Sequence, residues 1–298
     1  MSEKADLEGL YAATAEAAGL LGIACSREKM SPVLTAFQDL ITDPVVFNIV
    51  TSKGRVGDLS FDFMTPPGAG DPRARALAHG LVDETDHPIR SLFTEIQERF
   101  PLQSFGVDYG VTRGFNKAYA FFPLGELQSL ADLAAVPSMP RALSDQMGAF
   151  ADHGLGDKVS AVAVDYARRS WNVYFNGLSP QHVGPAAVTS MLREFGLPEP
   201  SEQFLEFAGT SAALYPTFGW DSSKVERLCF STRTTDPAAL PARIEPKLGM
   251  FAAHAPYAYD GDRVLVYAGA VSPAEEYYKL ASYHRMAAVT HDRVRTAA

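Results

Sequence analysis

Two hydrophobic patterns alternate along the chain. In seven stretches apolar residues recur at intervals of three and four positions, the spacing of an amphipathic helix. Several of these stretches begin at a Ser-Pro pair such as Ser179-Pro180 or Ser272-Pro273, where Ser caps the helix and Pro occupies its first turn. The predicted helices are Leu7–Leu21, Lys29–Ile41, Pro88–Phe100, Pro140–Ala151, Pro180–Phe195, Arg243–Ala253 and Pro273–Val289.

Pairs of strand-like segments, in which apolar and polar residues alternate, lie between the predicted helices. A short polar turn joins each pair, for example Asp260-Gly261, and a tight turn joins only antiparallel strands. The five pairs are Val45–Thr51 with Asp58–Met64, Ser104–Val111 with Phe115–Phe122, Val159–Tyr166 with Ser170–Phe175, Ser211–Phe218 with Val225–Thr232, and Ala258-Tyr259 with Val264–Ala270. The order helix, strand, strand, helix therefore recurs.

Ten antiparallel strands are more than an open, twisted sheet holds comfortably, and closure into a barrel removes the free edges. The sequence therefore predicts an α+β fold in which a ten-stranded antiparallel barrel is surrounded by helices. Such a barrel is wider than the eight-stranded kind that side chains can fill, so we expect a lumen able to hold a ligand. No linker divides the chain, which predicts a single domain over residues 1–298.

Composition and charge narrow the classes of partner. The chain carries 35 acidic against 26 basic residues, a formal net charge of −9, which weighs against broad binding of nucleic acid or anionic membranes. We find no apolar run near the roughly 18 residues that a membrane helix requires. The polar start MSEKADLEGL lacks the pattern of a signal peptide. We therefore expect a monomeric, cytoplasmic protein without membrane insertion.

Several common catalytic motifs are absent from the sequence. It contains no GxxxxGK[ST] phosphate loop, no HExxH zinc helix, no GxSxG nucleophile motif and no DDxxD cluster. The seven histidines are scattered, without a pair at metal-ligand spacing. Cys25 and Cys229 lie in no CxxC or Cys/His cluster and are expected to be reduced, buried thiols.

Polar residues share one face of several predicted strands. Because side chains alternate between the two faces of a strand, Ser60 and Asp62 lie opposite Leu59, Phe61 and Phe63. On the next hairpin the same rule groups Phe115, Lys117, Tyr119 and Phe121. The charged and polar members of this face are Asp62, Lys117, Arg168, Asn172, Tyr215 and Arg227.

Two interpretations of the polar face remain open. It could point to solvent, as in half-exposed sheets, or it could line the lumen while the helices cover the apolar face. A lumen with several cations, hydroxyl groups and a carboxylate suits an anionic phosphorylated ligand. Tyr119 and Tyr174, on the same faces, would offer ring surfaces to a cation or to another aromatic ring.

Several segments of the sequence resemble the ABBA aromatic prenyltransferases of bacterial natural-product pathways. The segments are KAYAFFP at 117–123, VERLCF at 225–230, APYAY at 255–259 and SPAEEYYKL at 272–280, together with similar stretches at 11–41 and 136–140. The resemblance implies a prenyltransferase barrel of ten antiparallel strands built from five αββα units. It also implies transfer of a dimethylallyl or geranyl group from its diphosphate to an electron-rich aromatic carbon.

The resemblance further implies roles for individual residues. The implied diphosphate ligands are Lys117, Arg168, Asn172, Tyr215, Arg227 and Lys279, of which Lys279 would lie at the barrel rim, before the final predicted helix. The implied catalytic residues, which neutralise the diphosphate and shield an allylic cation, are Lys117, Arg227, Tyr119, Tyr174 and Tyr215. Asp62 matches an aspartate that holds Mg²⁺ in magnesium-dependent relatives. The implied acceptor-binding residues are Ser160, Ala212, Ala213, Tyr283 and Val289.

The chain departs from a naphthoquinone-type relative on the acceptor side. Ala212 and Ala213 replace Phe and Ser, Ser170 replaces a larger amide, and Met64 replaces a small hydroxyl residue. The acceptor and the prenyl chain length therefore stay open. Two other functions also stay open: a non-catalytic barrel carrier of hydrophobic or anionic small molecules, and a terpene synthase that uses the same diphosphates. Converging cations weigh against the carrier, and the missing DDxxD cluster weighs against the synthase.

Overall fold

A closed antiparallel barrel forms the centre of the protein. The computed structural model describes residues 6–52, 55–238 and 246–286, and within them eleven strands form one sheet. The strands are β1 (Thr42–Ser52), β2 (Arg55–Val56), β3 (Ser60–Thr65), β4 (Ser104–Gly110), β5 (Gly114–Phe121), β6 (Val159–Asp165), β7 (Ser170–Asn176), β8 (Ala213–Gly219), β9 (Val225–Thr234), β10 (Leu265–Val271) and β11 (Glu276–Arg285). Each long strand pairs with the next, and β11 pairs with β1 to close the barrel. The two-residue β2 only extends the sheet beside the end of β1, so the prediction of ten barrel strands is confirmed.

Helices surround the barrel. Those in the described ranges are α1 (Leu7–Leu21), α2 (Arg27–Phe37), α3 (Pro72–Ala78), α4 (Leu92–Arg99), α5 (Leu130–Ala134), α6 (Ala142–Asp152), α7 (Pro180–Val183), α8 (Pro185–Glu194), α9 (Glu202–Ala208) and α10 (Pro246–His254). Asp6 caps α1 by accepting a hydrogen bond from the Gly9 amide, and left-handed Gly22 ends the helix, so α1 coincides with its predicted range. No helix of the described ranges is long and apolar enough to cross a membrane.

The other predicted helices have different bounds in the structure. The ranges Lys29–Ile41 and Pro140–Ala151 correspond to α2 and α6, and Pro88–Phe100 forms a 3₁₀ helix at Pro88–Ser91 followed by α4. The range Pro180–Phe195 divides into α7 and α8 at Gly184, which has an extended conformation before Pro185. A residue before proline disfavours the helical region, which explains the break. Of the range Arg243–Ala253, residues 243–245 lie outside the described part, and the remainder forms α10.

The predicted final helix at Pro273–Val289 is wrong where the structure describes it, because Glu276–Arg285 form strand β11. Ser272 and Pro273 start a tight turn instead, in which the Ser272 amide and hydroxyl both donate to the Glu275 carbonyl at 3.0 Å. Both faces of β11 carry aromatic or apolar residues, since one faces the helices and the other the lumen. The period of two is therefore hidden in the sequence.

The predicted hairpin at Asp260-Gly261 is wrong as well. The segment Ala258-Tyr259 is not a strand, and β10 forms its hairpin with β11 through the turn at Ser272. Asp260 and Gly261 lie in an irregular connection before β10, where Gly261 has a φ of 104°. The Asp-Gly signal thus marks a left-handed turn residue without paired strands on either side.

The apolar strand faces pack outward against the helices. Phe63 of β3 contacts Phe37 of α2 with ring centroids 5.3 Å apart, and Phe230 of β9 contacts Phe204 of α9 at 5.9 Å. These four side chains are 0% exposed and belong to one continuous core. Because the sheet closes, its other face encloses a lumen, so the polar face does not point to bulk solvent.

Candidate active site

Four basic side chains lie in one half of the lumen. This half is near the end of the barrel where hairpin turns join β4 to β5, β6 to β7, β8 to β9 and β10 to β11. Lys117 lies in β5, Arg168 in the β6–β7 turn, Arg227 in β9 and Lys279 in β11. Their charges interact across the barrel, since Arg227, Lys117 and Arg168 each disfavour the charged form of Lys279. The structure thus brings together the cations that the sequence predicted from separate hairpins.

Arg227 is held rigidly by neutral partners. Its Nε and Nη2 donate to the Thr217 hydroxyl at 3.1 and 2.8 Å, and its Nη1 donates to the Tyr277 hydroxyl at 2.7 Å. Asn172 also donates to the Thr217 hydroxyl, which places this predicted ligand beside Arg227. No carboxylate of the described ranges lies within 4.0 Å of the Arg227 guanidinium. The site therefore contains a preorganised cation whose charge is not balanced.

Lys117 and Arg168 share one buried carboxylate. Asp165, whose side chain is 2% exposed, lies 3.8 Å from Lys117 Nζ and 3.6 Å from Arg168 Nη1. The backbone amide of Arg168 also donates to Asp165 at 2.8 Å. Arg168 is a turn residue with a 56% exposed side chain, so it reaches the lumen from its end. One carboxylate for two cations leaves this pair with a net positive charge.

Lys279 lies in the middle of β11, opposite Val50 and Ala268 of the neighbouring strands. The expectation that it occupies the rim before a helix is therefore wrong. Its Nζ is 3.4 Å from the Tyr215 hydroxyl and lies over the rings of Tyr215 and Tyr277 at 5.1 and 5.7 Å. Burial, together with the neighbouring cations, lowers the pKa of Lys279 to about 7.

An aromatic wall, defined here as Phe121, Tyr119, Tyr174 and Tyr215, lines the lumen across β5, β7 and β8. Successive ring centroids are 5.4, 6.2 and 4.4 Å apart, and the wall ends at the Lys279 ammonium. Burial raises the pKa of all three tyrosines, so their hydroxyls stay protonated. The wall therefore offers neutral, electron-rich ring faces to a cation.

Phe115 does not belong to this wall, although strand alternation placed it there. A β-bulge sets Asp108 opposite Lys117 and Tyr109 opposite Phe115, which leaves Asn116 as the extra residue. Phe115 consequently packs outward in the core, with its ring centroid 6.1 Å from that of Tyr166. Bulges shift the alternation by one residue, and sequence periodicity does not reveal them.

Two carboxylates face each other beside Lys117. Asp62 of β3 pairs in register with Asp108 of β4, and Asp108 accepts hydrogen bonds from Asn116 Nδ2 at 2.7 Å and Ser60 Oγ at 3.4 Å. Burial, and then the charge of Asp108, raises the pKa of Asp62 well above its usual range. The buried Oδ1 of Asp62 has no hydrogen-bond partner among the described residues. Two adjacent carboxylates with an unpartnered oxygen fit a hard divalent cation.

A cation at this position would need further ligands that the protein does not supply. No group of three or more His, Cys, Asp and Glu side chains in the described ranges could hold a metal ion. Asp62 and Asp108 would therefore complete an ion's coordination together with oxygens of a bound ligand and water, which is the usual arrangement for Mg²⁺ at phosphates.

The implied acceptor residues occupy different positions. Ala213 begins β8 on the same face as Tyr215, whereas Ala212 precedes the strand and is exposed. Ser160 sits at a bulge in β6 and donates to the Tyr174 carbonyl at 3.2 Å. Tyr283 lies near the end of β11, opposite Val46. Val289 lies outside the described residues.

Sequence reasoning missed four residues of the site. Asp108 and Asp165 are buried in the lumen wall, and alternation along SFGVDYG and VSAVAVD could have placed both on the inner face. Thr217 follows Tyr215 by two residues in β8, so alternation could have placed it on the same face. Tyr277 was assigned to a helix, and so its contact with Arg227 could not be expected.

Binding of the implied prenyl diphosphate, the donor of the transferred group, should be accompanied by proton uptake at Lys279. In the empty barrel its pKa of about 7, against the ordinary 10.5, leaves the amine mostly neutral above pH 7. A bound diphosphate would favour the ammonium form and raise this pKa. We therefore expect donor affinity to fall as the pH rises above about 7, with proton uptake measurable by titration calorimetry in buffers of different ionisation enthalpy.

A Lys279→Arg variant provides the matched control, because its guanidinium keeps its charge throughout this range. Its donor affinity should depend less on pH, and it should take up fewer protons at pH 8. Equal proton uptake by the variant and the wild type would show that another group is responsible.

The fold and the site define a class of protein. A closed barrel that joins unbalanced cations to a wall of neutral tyrosine rings can bind the anionic end of a diphosphate ester and stabilise a cation formed from its other end, as a prenyl-transferring enzyme must. The comparison with known families agrees: residues 5–293 match the family described as aromatic prenyltransferase Orf2, and the chain belongs to this family. It is an aromatic prenyltransferase.

Three similar proteins from Streptomyces support this assignment. The chain is 45% identical to flaviolin linalyltransferase of Streptomyces virginiae over 286 residues, covering 96% of this chain and 94% of that protein. It is 43% identical to 5,10-dihydrophenazine-1-carboxylate 9-dimethylallyltransferase of Streptomyces anulatus, with 95% of both chains covered. It is 40% identical to the furaquinocin biosynthesis prenyltransferase of Streptomyces sp. (strain KO-3988), covering 96% of this chain and 92% of that protein.

Solved structures share the fold at lower identity. A 6-dimethylallyl tryptophan synthase superposes with a TM-score of 0.57 at 14% identity, covering 96% of this chain and 99% of that chain. The 6-dimethylallyltryptophan synthase of Micromonospora olivasterospora gives a TM-score of 0.52 at 14% identity, with 93% and 98% coverage. These matches identify the prenyltransferase barrel.

Proposed function

We propose that this enzyme transfers a dimethylallyl or geranyl group from its diphosphate to a carbon of an electron-rich aromatic acceptor of the hydroxynaphthalene or phenolic type in secondary metabolism. The observation that carries the proposal is the position of Arg227 and Lys279 inside the lumen, without a carboxylate partner in the described ranges, at the end of the aromatic wall. Buried cations without an anion are costly, and a diphosphate has the charge to balance them.

The reaction follows from this arrangement. The allylic C–O bond breaks, and its electron pair leaves with the diphosphate, whose growing charge Arg227, Lys117 and Lys279 stabilise through fixed positions. The allylic cation lies against the rings of Tyr174 and Tyr215, where each cation–π contact contributes about 0.5–2 kcal/mol. An electron-rich acceptor carbon attacks this cation and forms an arenium ion. Loss of its ring proton to the diphosphate or to water restores aromaticity, so a dedicated strong base is not required.

Asp62 and Asp108 are the residues that would hold Mg²⁺ in this proposal. When bound, the ion would supply Lewis-acid stabilisation of the diphosphate charge. The unpartnered Oδ1 of Asp62 supports this role. The barrel walls would keep bulk water away from the allylic cation and position the acceptor carbon beside it.

The test is incubation of the protein with dimethylallyl or geranyl diphosphate and 1,3-dihydroxynaphthalene, followed by liquid chromatography and mass spectrometry. We expect the prenylated naphthalene, formed only when donor and acceptor are both present. A carrier would bind the donor without consuming it, and a terpene synthase would release hydrocarbons or alcohols without the acceptor. Either result would contradict the proposal.

Ala213 should set the width of the acceptor side. Because this small residue begins β8 on the lumen face, opposite Ser231 and Asn176, an Ala213→Phe substitution should fill space beside the aromatic wall. We expect the variant to lose bulkier acceptors by about tenfold or more while the KM of the donor stays unchanged, since overfilling a packed space costs about 1–3 kcal/mol. A panel of acceptors of increasing ring number measures this effect.

The adjacent alanine provides the control. Ala212 is exposed and precedes the strand, so Ala212→Phe should leave the acceptor profile unchanged. If both variants behave like the wild type, Ala213 does not line the acceptor side.

A further inference from the structure

Arg233, which has no carboxylate within 4.0 Å among the described residues, lies at the opposite end of β9 from Arg227. Arg227, Cys229, Ser231 and Arg233 alternate onto the inner face of β9, and Arg233 is the last of them before the strand ends at Thr234. Six residues of extended strand separate Arg233 from Arg227, a distance of about 20 Å. A diphosphate held by Arg227 cannot reach this position, and the Arg233 side chain is exposed, so Arg233 lies at the opposite end of the barrel from the diphosphate.

Arg233 contacts one of the implied acceptor residues. Its Nη2 donates to the Tyr283 hydroxyl at 3.3 Å, and its guanidinium carbon lies 5.8 Å from the centre of the Tyr283 ring. On the adjoining strand β10 its register partner is the apolar Val266. The Tyr283 hydroxyl accepts this hydrogen bond, and its own proton has no acceptor among the described residues. Arg233 and Tyr283 therefore present hydrogen-bond donors side by side.

Two other arginines near this end of the barrel each donate a hydrogen bond to an oxygen that carries negative charge or belongs to the backbone. Arg285 pairs with Asp43 through its Nε at 2.9 Å. Arg263 donates to the Ala255 carbonyl and packs over the Tyr257 ring at 4.8 Å. Arg233, like Arg263 but unlike Arg285, lies within 4.0 Å of no carboxylate in the ranges 6–52, 55–238 and 246–286, and its one hydrogen-bond partner there is the Tyr283 hydroxyl. Most of its guanidinium donors are consequently available to a ligand.

An available guanidinium at this end indicates an anionic acceptor. The protein carries a formal net charge of −9, so an anionic aromatic molecule is repelled by the protein as a whole. A local guanidinium offsets this repulsion, and its planar donors match the two oxygens of a carboxylate. The basic side chains that bind the diphosphate cannot serve this purpose, because the prenyl diphosphate would occupy them.

We infer that Arg233 and Tyr283 form a carboxylate-binding subsite for the aromatic acceptor. This inference rests on the proposed function and assigns hydroxylated aromatic acids as the class of acceptor. The carboxylate of the acid would bind at this end of the barrel, and its ring would extend toward the aromatic wall. The subsite favours acceptors with an ionised acidic group over neutral acceptors of the same shape, and it restricts which ring carbon faces the donor.

The experiment compares 3,5-dihydroxy-2-naphthoic acid with its methyl ester, which has the same ring system without the charge. The wild type should prefer the acid. An Arg233→Gln substitution should lower kcat/KM for the acid by about ten- to a hundredfold, the range expected for loss of a charge-assisted hydrogen bond. For the ester, kcat/KM should change by less than about threefold, because the ester offers Arg233 only a neutral hydrogen-bond acceptor. The KM of the donor should not change.

Two further variants separate a local contact from a general charge effect. Arg233→Lys should restore part of the preference for the acid, because a point charge replaces the planar guanidinium. Arg285→Gln removes one positive charge from the same end of the barrel, but from a residue already paired with Asp43, and it should leave the preference unchanged. Equal losses for acid and ester in Arg233→Gln, or no preference for the acid in the wild type, would overturn the inference.

Direct binding keeps this test independent of turnover. Fluorescence titration of the wild type should give a lower Kd for the acid than for the ester, and Arg233→Gln should abolish the difference. If the wild type binds the acid through Arg233 but forms no product with either donor, the proposed function fails while the subsite stands. If product forms without any role of Arg233, the subsite fails while the function stands.

Discussion

Replacing Arg227 with alanine should lower kcat/KM for the prenyl diphosphate by about ten- to a hundredfold, because one charge-assisted contact to the leaving group contributes about 1.5–3 kcal/mol. The residue is suited to this role since Thr217 and Tyr277 orient its guanidinium from two sides. Steady-state kinetics at saturating acceptor, with the donor varied, measures the effect. Lys117→Ala should act in the same direction, with the difference that it leaves buried Asp165 with only Arg168 as a partner.

The fold should tolerate the loss of Arg227. Because no carboxylate in the described ranges pairs with it, its removal strands no buried anion, and the melting temperature should change little. Arg227→Lys should recover only part of the activity, since an ammonium group cannot reproduce the fork that binds Thr217 and Tyr277. Arg169→Ala is the matched control, because this arginine of the β6–β7 turn lies over the outer Trp220 ring. Wild-type efficiency in both folded alanine variants, Arg227→Ala and Lys117→Ala, would refute the cation site.

Replacing Asp62 with asparagine should abolish stimulation by Mg²⁺. In the wild type we expect excess EDTA to lower turnover by about a hundredfold, since a metal ion at a diphosphate contributes several kcal/mol of charge stabilisation. The substituted amide would keep the size of the side chain but lose the ionisable carboxyl group, whose Oδ1 has no partner among the described residues. The variant should therefore show the same low activity with and without the ion, whereas re-addition of Mg²⁺ restores the EDTA-treated wild type.

Binding of the ion provides a second measurement that does not depend on turnover. Calorimetric titration of Mg²⁺ into the protein with a non-hydrolysable prenyl thiolodiphosphate should show binding in the wild type and weaker binding in Asp62→Asn. Asp108→Asn tests whether the second carboxylate shares the ion, because it removes the other charge while the pairing of β3 and β4 is kept. Full activity of the wild type in EDTA would contradict the prediction.

The alternation of side chains was sufficient to place two of the four cations, Lys117 and Arg227, on the inner face of the barrel. Ser60 and Asp62 lie opposite Phe61, and Asn172 lies opposite Trp171, because strand geometry forces successive side chains to opposite faces. Sequence alone also predicted a closed barrel, since the paired strands were too many for an open sheet. The resemblance to aromatic prenyltransferases then implied the diphosphate ligands by number, and the structure brings two of these residues, Arg227 and Asn172, to the same Thr217 hydroxyl.

The tertiary structure alone decided where β11 lies and what its residues contact. A strand buried on both faces carries no period of two, so Glu276–Arg285 resembled a helix until its pairing with β1 and β10 was seen. That pairing moves Lys279 from the rim to the middle of the barrel and sets Tyr283 beside Arg233. The bulge at Asn116 likewise turned Phe115 into the core. Local sequence determines the period of each strand, but contacts between residues 50 or more positions apart depend on register and closure, which no local pattern encodes.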